Sequence, residues 1–432
     1  LENFYYAFPY TNYSIRSLNR WAILELIQFT PGGISRAELA RRIDTTRSTV
    51  STIVTDLLQK GLVREAANGP ATGGRRPILL ELNPKRGYVL GIDMGATHLS
   101  LILTDFLARV VLEEEYPLDV KQGPALCLQK LDQHARELMA RAGLSCTDIV
   151  SVGLGVPGPV VAEAGIVSAP PIMPGWDGFP IRDDLQARWG CKVTMSNDAE
   201  LGALGEWAYG AGRTQRHVAY VKVGSGIGAG LILDGRIYRG AEGLAGEIGH
   251  LTIQEDGPLC TCGNHGCLES IAGGAAIARQ AIEVVKSGER TQLTKIQPPE
   301  EITARQVLHA ARLGDLAAQR IVTKAGEYLG IAIAGIINLS NPSVVVVGGG
   351  VAQMGDLLLE PIRRIVQERS LSPSAKSVSI TAAVLGRRSS MMGAIVQAVN
   401  SALYDYTEGN QSMEGGGKEA KKEDREHAFV SK

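Results

Sequence analysis

The residues of this chain best suited to chemistry lie between Gly246 and Glu269, in GEIGHLTIQEDGPLCTCGNHGCLE. His250 is followed by Cys260, Cys262 and Cys267 in a C-x-C-x4-C array, and Gly263 and Gly266 supply the turns that let three sulfurs converge. Three thiolates and an imidazole make a closed tetrahedral set, which is the ligand composition of a structural zinc site. Cysteines buried merely as small apolar residues have no reason to cluster between glycines in this way. Two carboxylates, Glu247 and Glu269, bracket this knuckle at 250–267, so the metal is expected to hold a substrate-binding wall in place.

These groups need a scaffold. Tyr88 to His98 reads as a strand ending in a tight turn, with Asp93, Gly95 and Thr97 near the turn, and the next strand ends at Asp105. Val221–Gly230 is a second strand, glycine loop and strand, with Gly224 and Gly226 in the loop; Val344–Val351 is a buried strand running into Gly349. Each could set backbone amides against an anion or a nucleotide. In this order they describe an α/β chain of two lobes with a cleft between them. Gly153–Pro159 adds a rigid turn, and Met195–Glu200 a strand that runs into Asn197 and Asp198 at a helix start. A carboxylate there can accept a hydroxyl proton, as a catalytic base or as a hydrogen-bond anchor.

The N-terminal part has a different character. Ser35-Arg36-Ala37-Glu38 matches a capping box, and a second helix is predicted from about Thr46 to Lys60, closed by Gly61. Val50, Ile53, Val54, Leu57 and Leu58 form its apolar stripe, while Arg47, Ser48, Thr49, Ser51, Thr52 and Thr55 form a polar face. Short hydrogen-bonding side chains with an Arg at the helix start suit the major groove of DNA. Leu62–Glu65 and Ile78–Leu82 read as a hairpin whose long loop carries Arg75 and Arg76, a wing suited to the minor groove.

Composition supports two kinds of partner. The chain has 432 residues, 44% of them hydrophobic, and 51 glycines, which predicts two or three turn-rich α/β domains. Residues 16–86 hold twelve Lys/Arg against six Asp/Glu, a balance of +6, whereas residues 87–408 come out near −6. A small basic module on an acidic body is expected to bind nucleic acid through the module. LENFYYAFPY lacks a basic stretch followed by an apolar core, no apolar run approaches the length of a bilayer span, and Cys127, Cys146 and Cys191 are scattered singly. A cytoplasmic protein without membrane contact is therefore expected. The final stretch, 409–432, reads as a disordered tail.

From 87 to about 400 the chain resembles the ROK family of sugar kinases and sugar-responsive repressors, through DMGATH, GVPGP, SNDA, VGSGIGAG, GEIGH, CTCGNHGCLE and VVVGGGV. The N-terminal part is similar to the winged helix-turn-helix of the xylose-repressor-like branch. The resemblance implies a two-lobed, actin-like (ribonuclease H-like) sugar-kinase fold at 87–408 after a winged helix-turn-helix domain at 1–86. It implies that Asn197, Asp198, Glu247, His250 and Glu269 hold sugar hydroxyls, with Asp198 as base in any kinase reaction. His250 would face zinc with one ring nitrogen and the sugar with the other. The phosphate side departs from the pattern: Gly95-Ala96-Thr97-His98 stands where family kinases carry Gly-Gly-Thr-Lys. A Cβ at Ala96 and the loss of a permanent charge at His98 argue against ATP and magnesium at Asp93, Gly95, Thr97, Gly224, Gly226 and Gly349. Three readings follow: a DNA-binding repressor controlled by a sugar, an active sugar kinase that also binds DNA, and a DNA-binding protein whose body serves docking. The first is favoured, with operator DNA and a sugar as partners and a homodimer spanning two half-sites.

Overall fold

The computed structural model describes residues 15–69 and 76–426. The N-terminal unit runs α1 (Ile15–Phe29), β1 (Ile34–Ser35), α2 (Arg36–Arg42), α3 (Arg47–Gln59), β2 (Val63–Asn68) and β3 (Ile78–Leu82), with strand order β1-β3-β2. Helix α3 begins at the cap residue Thr46, whose Oγ1 accepts the Thr49 amide at 3.2 Å, and Gly61 follows its end at φ +66°. Val50, Ile53, Val54 and Leu57 are buried, as their spacing predicts. The capping box is only half formed. Ser35 Oγ accepts the Glu38 amide, but the Glu38 carboxylate turns to Arg41 and Arg42, at 2.6 and 2.7 Å. Two charged partners outcompete one neutral amide. Helix α1 and strand β1 go beyond the sequence reading.

From Tyr88 the chain builds one sheet topology twice. The first lobe contains β4 (Tyr88–Met94), β5 (His98–Asp105), β6 (Val110–Pro117), α4 (Pro124–Arg141), β7 (Ile149–Val156), the small hairpin β8 (Val160–Val161) and β9 (Ile166–Val167), α5 (Ile181–Trp189) and β10 (Lys192–Asn197). Its sheet is ordered β6-β5-β4-β7-β10; β4 to β6 form an antiparallel meander and β7 and β10 run parallel to β4. Helix α6 (Asp198–Tyr209) then leads to the second lobe: β11 (Val218–Val223), β12 (Ile227–Leu233), β13 (Arg236–Tyr238), α7 (Leu268–Ala272), α8 (Gly274–Lys286), α9 (Ala304–Arg312), α10 (Leu316–Ser340), β14 (Val344–Gly348), α11 (Asp356–Arg369), α12 (Ser372–Ser377) and β15 (Ser379–Ala382). The order β13-β12-β11-β14-β15 repeats the first sheet, with antiparallel and parallel pairs in the same places. This is the actin-like, ribonuclease H-like architecture the sequence implies.

The last helix, α13 (Ser389–Glu426), lies against β4 and β7 of the first lobe, while α6 lies against β11 and β12 of the second. Each lobe's closing helix thus leans on the other lobe, and the two helices cross. A Cβ at Gly205 would stand 2.1 Å from Ser389 O, and one at Gly393 would stand 1.8 Å from Leu201 O, so glycine is required at both points of this backbone contact.

Helix α10 is long and apolar enough to cross a membrane by length and composition alone, which corrects the expectation from apolar runs, its charges falling in its first half. Ile321, Val322, Leu329, Ile333 and Ile337 bury it in the second lobe's core. Helix α13 continues to Glu426, across most of the stretch that composition reads as a disordered tail, and residues 427–432 lie outside the described residues.

The N-terminal unit shares a core with the first lobe. Buried Trp21, Leu24 and Ile27 of α1 belong to one cluster with Phe106, Met391, Ile395, Val399 and Leu403. Trp21 stacks on Tyr404 with centroids 5.9 Å apart, Phe29 meets Trp207 edge-on at 5.3 Å, and Arg20 Nη1 donates to Thr407 O at 3.2 Å.

Candidate functional site

The knuckle converges as its spacing predicts. Gly263 and Gly266 take φ of +93° and +64°, and the four ligand atoms of His250, Cys260, Cys262 and Cys267 lie within 4.8 Å of one another. Cys262 Sγ and Cys267 Sγ are 3.7 Å apart, as are Cys260 Sγ and His250 Nδ1. A tetrahedron with metal–sulfur distances of ~2.3 Å has sulfur–sulfur edges of ~3.8 Å, so the donors already stand at metal-binding separations. His265, in the same stretch, turns away, its Nδ1 lying 3.2 Å from Gly257 O.

The knuckle also positions the cleft. His250 ends a short 3-10 turn whose cap residue is Glu247, and its Nε2 lies 3.9 Å from Glu247 Oε2. Cys267 precedes α7, whose first turn carries Glu269. Glu269 Oε2 accepts the Ile227 amide at 2.9 Å. Asn197 caps α6: its Oδ1 accepts the amides of Ala199 (2.8 Å) and Glu200 (3.4 Å), and its Nδ2 donates to Gly158 O at 3.0 Å. One Nδ2 hydrogen remains for another acceptor. Burial raises the Glu247 carboxyl above its ordinary value, His250 pulls it down, and Asp198 and Glu269 push it further up. Glu200, buried on α6 beside Arg239, is raised by burial too. Several carboxyls facing one space favour hydrogen-bond donors between them, such as sugar hydroxyls.

On the other side of the cleft sits a residue the sequence reading leaves out. Lys222 Nζ lies 2.8 Å from Asp198 Oδ2, 3.4 Å from Asp93 Oδ2 and 3.4 Å from Ser390 Oγ, which itself donates to Asp198 O at 2.8 Å. Burial opposes the charge of Lys222, but the two carboxylates outweigh it and hold the ammonium protonated. Burial likewise pushes Asp93 up, and Lys222 and His98 bring it below its ordinary value. For Asp198, burial wins over Lys222 and the Asp93 charge adds to it, so its carboxyl is raised. The one signal in the sequence is a lone lysine inside the apolar strand VAYVKV, a position where an unpaired charge is costly.

The glycines read as phosphate contacts have neighbours of their own. The His98 ring covers Gly95, where a Cβ would lie 2.1 Å from Cε1, and His98 Nε2 is 3.7 Å from Asp93 Oδ2. A Cβ at Gly226 would meet Glu269 Oε2 at 2.4 Å, and one at Gly349 would meet Val223 O at 2.4 Å. Gly224 O accepts the Gly274 amide at 2.8 Å, and Thr97 is exposed. Asp105 stands apart from this group: it pairs with Tyr88 at the far end of β4 and caps a turn through the amides of Leu107 and Arg109.

In the N-terminal unit, Arg47, Ser48, Ser51 and Thr52 are exposed along α3, whereas Thr49 is half-buried and its hydroxyl meets that of Thr46 at 2.8 Å. Arg76 is exposed at the foot of the wing, and Arg75 lies outside the described residues.

Comparison with known proteins agrees with this architecture. The ROK family profile matches residues 89–400, and that of the MarR family residues 16–73. The chain is 31% identical over 389 residues to the xylose repressor of Caldicellulosiruptor bescii, covering 90% of this chain and 97% of that protein. A solved ROK family transcriptional regulator, a homologue of the E. coli MLC protein, superposes with a TM-score of 0.74 at 27% identity, covering 91% of this chain and 97% of that one. A ROK family glucokinase from Streptomyces griseus, solved with glucose and AMPPNP, matches at a TM-score of 0.64 and 28% identity, covering 72% of this chain and 99% of that one. With a sugar-kinase-like body behind a winged helix-turn-helix, this chain belongs to the ROK family.

Proposed function

We propose that this protein is a transcriptional repressor of sugar-metabolism genes, released or retained on operator DNA according to a sugar bound between its lobes. The observation that carries the reading is one continuous element. Helix α13 starts at the cleft, where Ser390 touches Asp198 and Lys222, and its later residues Tyr404 and Thr407 pack against α1 of the DNA-binding unit. The coupling therefore runs through the packed α1–α13 contact and does not depend on the short connection Asn83–Gly87, the covalent link that the sequence alone offers. Sugar on Asn197, Asp198, Glu247, His250 and Glu269 shifts the population between two settings of α13, and linkage requires that it bind one of them more tightly, the weak-DNA setting if sugar releases the operator.

His250, Cys260, Cys262 and Cys267 would hold a zinc ion, which supplies no step of its own and fixes the positions of Glu247 and Glu269. Arg47, Ser48, Ser51 and Thr52 would read base edges, Thr49 would support the start of α3, and Arg75 and Arg76 would follow the minor groove. A homodimer would span two half-sites.

The test is fluorescence anisotropy of the full chain on DNA from upstream of its own gene, with a panel of sugars led by xylose and without ATP. One sugar is expected to change operator affinity; equal affinity with every sugar would remove the sensor role. The second reading, an active sugar kinase, keeps Asp198 in its favour and predicts phosphoryl transfer to the same sugar.

A further inference from the structure

The duplicated topology makes β4 and β11 equivalent, each the central first strand of its lobe. Asp93 is the penultimate residue of β4, one residue before Met94-Gly95, and pairs with Gly155 on the parallel neighbour β7. Lys222 is the penultimate residue of β11, one residue before Val223-Gly224, and pairs with Gly348 on the parallel neighbour β14. The repeat therefore sets the two residues facing each other across the cleft with opposite charges. Their side chains are 6% and 15% exposed, and that of Asp198 is 16% exposed.

The glucokinase relative was solved with AMPPNP, and the family resemblance implies such a nucleotide, with magnesium, on the Asp93 side. The residues present do not fit them. The ammonium of Lys222 already lies between the two carboxylates, 2.8 and 3.4 Å from their oxygens. A divalent ion on Asp93 would face that ammonium at a distance where like charges repel strongly in a poorly solvated cleft. The His98 ring covers Gly95, where the first phosphate turn would have to approach. Asp93 Oδ1 is buried without a partner among the described residues, which leaves room for a neutral donor.

We propose that Lys222 is a built-in counter-ion that takes the place of the metal, so that this chain binds its sugar without a phosphoryl donor and closes its lobes through the Asp93–Lys222–Asp198 contact. Asp198 is thereby kept as a hydrogen-bonding partner of Lys222 and of the sugar, and no nucleotide contributes to sensing. The proposal goes beyond the repressor reading, which would stand if MgATP did bind.

The experiment uses the zinc-loaded full chain with two probes, Mn2+ alone followed by electron paramagnetic resonance and MgATP followed by calorimetry. Wild type is expected to take up no Mn2+ beyond background, to give no saturable heat with MgATP, and to hold the sugar with the same affinity with or without MgATP. Lys222→Met is expected to gain Mn2+ affinity by about tenfold or more, a gain that added Asp93→Asn abolishes, while Lys222→Arg stays like wild type. Saturable MgATP binding to wild type, or equal Mn2+ binding by wild type and Lys222→Met, overturns the proposal. If Lys222→Met does not fold, the wild-type titrations and Lys222→Arg decide. A sugar that fails to alter DNA binding counts against the repressor reading and leaves this one untouched.

Discussion

With Nδ1 towards the sulfurs and Nε2 towards Glu247, the His250 ring belongs to the cysteine cluster and to the cleft at once. Cys262→Ser is therefore expected to lower bound zinc, measured by plasma mass spectrometry, and to cost the sugar response along with the metal; a zinc-free variant that still responds would separate the two sites. Glu247→Gln keeps the shape and removes a charged acceptor worth about 1.5–3 kcal/mol, so sugar affinity should fall about 10- to 100-fold by calorimetry while operator binding persists. Asn197→Ala is a poorer probe of the sugar. Its amide caps α6, and the substitution should lower stability by about 1 kcal/mol in urea unfolding whether or not sugar is present. The convergence of His250 with the three cysteines was legible in the sequence because its members are close together in the chain. Lys222 was not, since its partner Asp93 is 129 residues away and only the fold brings them together.

Single elements carry separable tasks. Arg47→Ala at the start of α3 combined with Arg76→Ala at the foot of the wing should weaken operator binding, and each of the two that also neutralises a phosphate should make the slope of log affinity against log salt shallower by about 0.9. An unchanged slope would take these side chains off the DNA backbone. At the start of α10, Asp315 accepts the Ala318 amide at 2.9 Å, the Gln292 amide at 2.6 Å and the Thr291 hydroxyl at 2.9 Å. Burial raises its carboxyl, but these hydrogen bonds prevail and hold it below the ordinary value. Such a group stabilises the fold above the unfolded carboxylate range and loses that contribution as pH falls through its folded value. Asp315→Ala should cost about 1–3 kcal/mol near pH ~7, and thermal melts should show the gap to wild type narrowing under acid. Caps at Ser35, Thr46 and Gly61 made α2 and α3 legible, since a cap and the helix it opens or closes are neighbours in sequence. Strand β1 has two residues and is stabilised by pairing with β3, which no local pattern announces.

At the scale of the molecule, the DNA-binding unit and the body are packed against each other through α1 and α13. Tyr404→Ala removes the ring that stacks on Trp21, a contact worth about 0.5–1.5 kcal/mol beyond its buried area. It should leave operator binding and sugar binding in place and reduce the effect of one on the other, read as the ratio of operator affinities with and without sugar. An unchanged ratio would move the coupling to another path. Along the chain the two parts are joined only through Asn83–Gly87, whereas residues 20 and 407 meet only after both lobes have folded.

The stretch of α13 from Ser390 to Thr407 has a further consequence. At ~1.5 Å per residue it is a rigid arm of roughly 25 Å, with its pivot near the Gly205–Gly393 crossing. A tilt of about 5° at the pivot carries the far end about 2 Å sideways. In the proposed homodimer, whose two recognition helices would stand about 34 Å apart on one face of the duplex, a displacement of that size on each side would alter their spacing by more than a base-edge hydrogen bond tolerates. Such leverage would let a sugar that rearranges only a few hydroxyl contacts change a reading frame many times its own size.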